Sequence, residues 1–335
     1  MSSLPLTRRP DLRPLAARDL DAVVAIDASL RGRSRRAYFE RRLAAAGRDP
    51  ERHLQLGVET DGRLAGYMLG CALEGEFGRS EPEVRLEAFG VVGAAQAQGL
   101  GAALAKALEE EAARRGLAAI RTTALWREHA LLGFFDRTGF RLAPVHVLDC
   151  ALADAELGSP RELPVEGAAP PADPNDYGTP RAGDFEALAR DGTEVGLLTE
   201  KDIDGVARID RRHTGRDRRG YLCRTVREAL ADSAVRISLA ARVDGSVAGY
   251  LMARVDYGDF GRAEPAAVID TVGVDPLRAR QGIGRALLSQ LFVNLRGLGV
   301  ERVETVVAPH NLDLMGFFYS AGFGPSERLS FLKTL

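Results

Sequence analysis

The chain repeats itself at a single offset of 183 residues. Asp27 returns as Asp210, and Gly32-Arg33-Ser34-Arg35-Arg36 returns as Gly215-Arg216-Asp217-Arg218-Arg219. Ala65-Gly66-Tyr67 returns as Ala248-Gly249-Tyr250, and Gln98-Gly99-Leu100-Gly101 as Gln281-Gly282-Ile283-Gly284. Gly133-Phe134-Phe135 returns as Gly316-Phe317-Phe318. The offset holds over roughly 125 positions without an insertion, and so long a period means a duplicated domain, not a short-repeat solenoid. A length of 335 residues is what two domains need.

Between the copies, residues 153–193 carry Pro160, Pro164, Pro170, Pro171, Pro174 and Pro180, which excludes a regular helix or central strand. The expected organisation is a domain at 1–152, a proline-rich linker at 153–193 and a second domain at 194–335. Each copy reads as a strand, a helix and a basic helical segment. Two strands follow, joined at Asp61-Gly62 or Asp244-Gly245. In the second copy a strand over Val268–Val274 leads to a glycine turn. That turn opens a helix with Ala286, Leu287, Leu291 and Leu295 on one face. A strand, a helix from Leu312 to Ala321 and a last strand after Gly322-Phe323 complete it. Hairpins followed by β-loop-α-β-α-β predict an α+β fold, in which a mixed, mostly antiparallel sheet is flanked by helices.

The net charge of −2 excludes a global field drawing the chain onto nucleic acid or an anionic membrane. No stretch approaches the roughly 18 apolar residues of a membrane helix, and the N-terminus has no apolar run of signal-peptide kind. Cys71, Cys150 and Cys223 are widely separated and form no metal-binding pattern. A cytoplasmic protein without a metal, nucleic-acid or membrane partner is expected.

Gln281-Gly282-Ile283-Gly284 falls where a strand gives way to a helix. Glycines there let backbone N–H groups turn outward, and the helix dipole favours an anion such as a pyrophosphate. Glycines at a helix start serve close packing equally well. No lysine follows them, so this is not a P-loop. A third glycine near 287, where Leu287 stands, would be needed for the dinucleotide fingerprint.

With these motifs in place, each copy resembles a GNAT-superfamily N-acetyltransferase. The family pattern is Gln/Arg-x-x-Gly-x-Gly/Ala after a strand, then a downstream Asn, an aromatic pair and Gly-Phe. Copy one fits the first part through Gln96-Ala97-Gln98-Gly99-Leu100-Gly101. Copy two has Ala279 at the first position, with Arg278, Arg280 and Arg285 around the loop. Asn311, Phe317-Phe318 and Gly322-Phe323 supply the second part, whereas copy one has Glu128 at the Asn position. The resemblance implies acetyl-CoA as acyl donor. Its pantetheine arm would pair with Val272, Gly273 and Val274. Its pyrophosphate would rest on Gln281, Gly282, Ile283, Gly284 and Arg285, with Arg280 beside it. Asn311 would touch the pantetheine. Gly99 and Gly101 are the counterparts in copy one.

The implied reaction is direct transfer of acetyl to a primary amine, on a small molecule or a protein, and it calls for a general base. Asp270, twelve residues before Gly282, stands at the position the family assigns to the base; Glu87 is its counterpart. By two-residue alternation Asp270 shares a face with Val268, Val272 and Val274, and apolar surroundings would raise its basicity. Glu87 has Arg85 two positions away, the first loop carries no cation, and Asn is lost at 128. The second copy is therefore expected to be catalytic and the first degenerate, in a tandem arrangement. The family's proton-donating tyrosine position is occupied by Phe318, with Tyr319 one step on. The rival expectation is a non-catalytic acyl-CoA-binding or sensing protein.

Overall fold

The computed structural model describes residues 10–78, 81–96, 98–153, 155, 193–231, 236–256 and 265–335. Nearly all of the expected linker at 153–193 lies outside the described residues. The described chain divides into two compact units: residues up to His146 with Glu327–Leu335, and Val147–Asp256 with Pro265–Ser326.

Unit 1 contains β1 (Asp11–Pro14), α1 (Leu20–Arg31), α2 (Arg36–Arg48), β2 (His53–Thr60), β3 (Arg63–Leu73) and β4 (Glu83–Val91). It continues with α3 (Leu100–Arg114), β5 (Ala119–Leu125), α4 (His129–Arg137) and β6 (Arg141–Leu142). Its sheet runs β1-β2-β3-β4-β5-β14-β6, with β14 spanning Arg328–Thr334. The β2–β3 turn places Asp61 and Gly62 at φ 53° and 72°, the left-handed pair that suits the twist of a tight hairpin. On one side of the sheet, Leu100, Leu104 and Leu108 of α3 pack with Val84, Leu86 and Phe135. On the other, Val23 and Ile26 of α1 and Phe39 of α2 pack with Tyr67 and Ala88. This apolar covering of both faces is what lets the middle strands read as nearly unbroken hydrophobic runs.

Unit 2 repeats the plan with β8 (Thr193–Leu197), α5 (Ile203–Thr214), α6 (Arg219–Ala231), β9 (Arg236–Val243), β10 (Ser246–Asp256) and β11 (Ala266–Val274). α7 (Ile283–Gly297), β12 (Arg302–Val307), α8 (Leu312–Ser320) and β13 (Gly324–Pro325) follow. Its sheet runs β13-β7-β12-β11-β10-β9-β8, where β7 is His146–Ala151. Both sheets have the same strand order, except that the long last strands are exchanged. β14, from the end of the chain, pairs antiparallel with β5 from Arg328↔Leu125 to Thr334↔Ala119. β7, from the first copy, lies beside β12 and pairs with β13 at Gly324↔Asp149. The linear order suggests a last strand folding back into its own copy. The copies share one plan, so each terminal strand meets an edge equivalent to that of its own copy.

The basic segments are held in ion pairs. Arg35 donates through Nε to Asp27 at 2.8 Å, and Tyr67 donates its hydroxyl to the same carboxylate at 2.8 Å. Arg218, Asp210 and Tyr250 repeat this triad at 2.9 and 2.6 Å. Burial first, then the nearby carboxylate, raises the hydroxyl pKa of both tyrosines, so they remain proton donors throughout the physiological range. The triads pin α1 to β3 and α5 to β10.

Candidate active site

β11 pairs in parallel with β12 only from Ala266↔Arg302 to Ile269↔Thr305, although it runs on to Val274. Thr305 donates its hydroxyl to the Ile269 carbonyl at 3.3 Å, which marks the root of a splay between the strands. In unit 1, β4 pairs with β5 only at Val84↔Ile120 and Arg85↔Arg121, and Thr122 donates to the Leu86 carbonyl at 3.2 Å. Val272, Gly273 and Val274 all lie beyond the splay root.

Asp270 sits at that root. The β10–β11 register steps from Met252↔Thr271 to Ala253↔Ile269, leaving Asp270 as the extra residue of a β-bulge. Glu87 is skipped in the same way between Leu69↔Ala88 and Gly70↔Leu86. A bulge breaks the two-residue alternation and re-aims its side chain. Asp270 stays on the side of Val268, whose ladder neighbours Arg254 and Arg236 it meets, whereas Val272 and Val274 fall on the other side. The expectation of an apolar face shared with all three valines is corrected to that extent. Asp270 is fully buried, accepts a hydrogen bond from Arg254 and lies 3.4 Å from Nη1 of Arg236. Arg236 also reaches Glu228 at 2.5 Å. Glu87 is held likewise, by Arg85 at 2.5 Å and Arg42 at 3.2 Å. The contrast expected between a free Asp270 and an arginine-paired Glu87 is therefore absent: two guanidinium groups hold each carboxylate. Sequence reasoning missed Arg254 and Arg236, although an arginine within β10 and another at the start of β9 were the available signal.

The loop after β11 is open to solvent, with Ala279, Arg280, Gln281 and Gly282 exposed. Arg280 has φ 63° and Gly282 φ 77°; α7 starts at Ile283 with no side chain capping it. First-turn amides of a helix have no intrahelical acceptor, so those around Gly282–Arg285 are available to an anion. Arg278 lies 3.8 Å from Asp244, and Arg285 donates to the Ser320 carbonyl at 3.4 Å. A Cβ built on Gly284 would approach Phe317 to 2.9 Å, so this glycine serves the packing of α7 on α8. Asn311 caps α8 by accepting from the Leu314 amide at 3.2 Å and is exposed. Phe318 is fully buried, and Tyr319 turns to solvent at 45% exposure. Among the described residues no group of His, Cys, Asp and Glu could hold a metal ion.

In unit 1 the splay opens into a cleft of about 1000 Å³, lined among others by Phe89, Gly99, Gly101, Glu128, Phe134 and Arg137. α3 likewise starts after a left-handed Gly99 (φ 80°) with no side-chain cap. Glu128, in place of Asn, caps its turn through the Leu125 amide and pairs with Arg31 at 2.9 Å. Although the loop itself has no cation, α4 brings Arg137 into the cleft wall beside it.

The chain matches the acetyltransferase (GNAT) family over residues 20–140 and 188–323. It is 31% identical over 149 residues to mycothiol acetyltransferase of Clavibacter sepedonicus, covering 43% of this chain and 46% of that protein. The corresponding protein of Clavibacter michiganensis subsp. michiganensis is 30% identical over 138 residues, covering 39% and 42%. The chain thus aligns with less than half the length of these curated relatives. A tandem GNAT protein from the clavulanic acid biosynthesis pathway has the same fold, with TM-score 0.59, 18% identity and coverage of 97% and 98%. A GCN5-related N-acetyltransferase from Sphaerobacter thermophilus gives TM-score 0.57 at 18% identity, covering 99% and 97%.

Proposed function

The chain belongs to the GNAT acetyltransferase family in both halves, and on that premise we propose that it transfers acetyl from acetyl-CoA to a primary amine, with unit 2 as the catalytic half. The observation that carries this reading is the coincidence, within one unit, of a splayed strand pair and an exposed, uncapped helix start ringed by arginines. In this reading the backbone beyond Ile269 takes the pantetheine arm. The amides from Gln281 to Arg285 take the pyrophosphate, with Arg280 adding charge, and Asn311 borders the arm. The amine nitrogen attacks the thioester carbon, a C–N bond forms, the C–S bond breaks, CoA leaves as thiolate, and the proton shed by the nitrogen passes to solvent water. Tyr319 is assigned no proton transfer, because it points to solvent beside a buried Phe318; the thiolate leaves with the help of water. Asp270 marks the reacting end of the splay, and its clamp by two arginines makes it a holder of the bulge. The three free cysteines suit a reducing, cytoplasmic setting.

A second reading, an acyl-CoA-binding protein without turnover, is favoured by that same clamp. Incubating the full chain with acetyl-CoA and a panel of primary amines, with free thiol as readout, separates the two. Amine-dependent thiol release supports transfer. CoA binding with no turnover on any amine supports the binding protein. Arg280→Ala is expected to weaken CoA binding under either reading, and unchanged affinity would remove Arg280 from the phosphate site.

A further inference from the structure

The backbone at the end of each splayed strand offers one carbonyl to the open gap, and the two copies cover it with different side chains. In unit 2 the Asp275 amide donates to the Ala248 carbonyl of β10 at 2.8 Å. The carbonyl across a trans peptide points the opposite way, so the Val274 oxygen faces away from β10, towards the gap. His213, in the last turn of α5, places Nε2 2.6 Å from that oxygen. A carbonyl only accepts, so Nε2 carries the proton. In unit 1 the Val92 amide donates to Ala65 at 2.9 Å, which turns the Val91 carbonyl outward in the same way. There the donor is Nε2 of Gln96, at 3.3 Å.

Gln96 opens the first Gln-x-x-Gly-x-Gly run. Its counterpart in the second copy is Ala279, whose methyl donates nothing, and the counterpart of His213 in the first copy is Leu30. The second copy has thus lost the loop donor and gained one from the helix.

From this we infer that His213 is a positioning residue of the donor site: it holds the Val274 carbonyl while the site is empty and must swing away when an amide-bearing arm pairs with that carbonyl. The inference rests on the reading that unit 2 takes CoA. Displacement leaves α5 in place, because Arg212 separately bonds Asp275 at 2.6 Å. His213 is exposed, so its side chain can turn into solvent without opening the core.

Removing a competing hydrogen bond should tighten binding by about two- to tenfold. The test measures CoA affinity of the full chain by calorimetry for wild type, His213→Ala and His213→Ala with Ala279→Gln. The histidine side-chain nitrogen resonances are followed by NMR as CoA is added. The expected result is tighter binding by His213→Ala, a return towards wild type when Gln is restored at 279, and movement of the His213 signal on titration. CoA binding with an unmoved His213 signal, or with equal or weaker affinity for His213→Ala, overturns the inference and leaves the functional reading standing. Absence of CoA binding by both wild type and His213→Ala overturns the two together.

Discussion

Replacing Asp270 with Asn separates a structural carboxylate from a catalytic base, because the two roles predict different observables. Asp270 is fully buried, and Arg254 and Arg236 keep only 12% and 10% of their side-chain surface. Removing one member of a buried ion pair leaves an uncompensated charge and costs about 3–5 kcal/mol. Arg236 keeps Glu228 as a partner, so only one of the two guanidinium groups loses its carboxylate. The cost should therefore fall near the lower end, about 3 kcal/mol. For a unit of roughly 150 residues that is a fall in Tm of about 6–12 °C. Urea and thermal unfolding by circular dichroism, with hydrogen exchange on β9, β10 and β11, would read it. If Asp270 is a clamp, lost activity follows lost folded fraction and the pH profile keeps its shape. The reasoning is refuted if Asp270→Asn stays within about 1 kcal/mol of wild type while kcat/KM falls about 10²–10⁴-fold and loses its acidic limb.

Moving the charge across the ladder provides a second test: Arg254→Cys with Val268→Arg copies the arrangement of Cys71↔Arg85 onto Arg254↔Val268. The pair should recover most of the stability lost by Arg254→Cys alone, and denaturant midpoints of the three variants decide it. Arg280 holds φ 63° without being glycine, so Arg280→Gly should stabilise by up to about 1 kcal/mol while lowering CoA affinity; loss of both stability and affinity would speak against stored strain. Deleting Glu327–Leu335 removes β14 from between β5 and β6, and hydrogen exchange should show β5 unprotected with β9–β11 unchanged; a protected β5 would show that the exchange is dispensable. Burial first, then Arg42 and Arg52, holds His53 down to about 4. Its folded value lies below the unfolded one near 6.5, so the unfolded chain takes up the proton first. Stability should be fully present above pH 6.5 and fall towards pH 4 by at most about 3 kcal/mol. His53→Gln should flatten that slope in pH-dependent unfolding, and an unchanged slope would assign it elsewhere.

The sequence made the duplication, the strand and helix order and the position of the glycine turn readable, because these depend on local patterns: hairpin dipeptides, helical spacing and left-handed glycines. It did not reveal the bulge at Asp270, which comes from register between strands and leaves no composition signal in a single copy. Nor did it reveal the exchange of β7 and β14, since the two copies offer equivalent edges and no local pattern names which one a terminal strand joins. The larger misreading came from judging each copy's charges along the chain. Arg85 beside Glu87 looked like a defect of copy one because its equivalent in copy two, Arg254, stands across the ladder opposite Val268. The first loop looked uncharged because Arg137 reaches the cleft from α4, while Arg285 belongs to the second loop's own helix. The Val91 carbonyl is met by Gln96, and Val274 by His213. In each case the charge or donor is retained and its sequence position moves. That is the expected result when what is constrained is the compensation of a buried carboxylate or a strand-end carbonyl, since any neighbouring element able to reach it can supply the partner. Loss of a motif residue in one copy is therefore weak evidence of lost function until the facing strands and helices have been searched for its replacement.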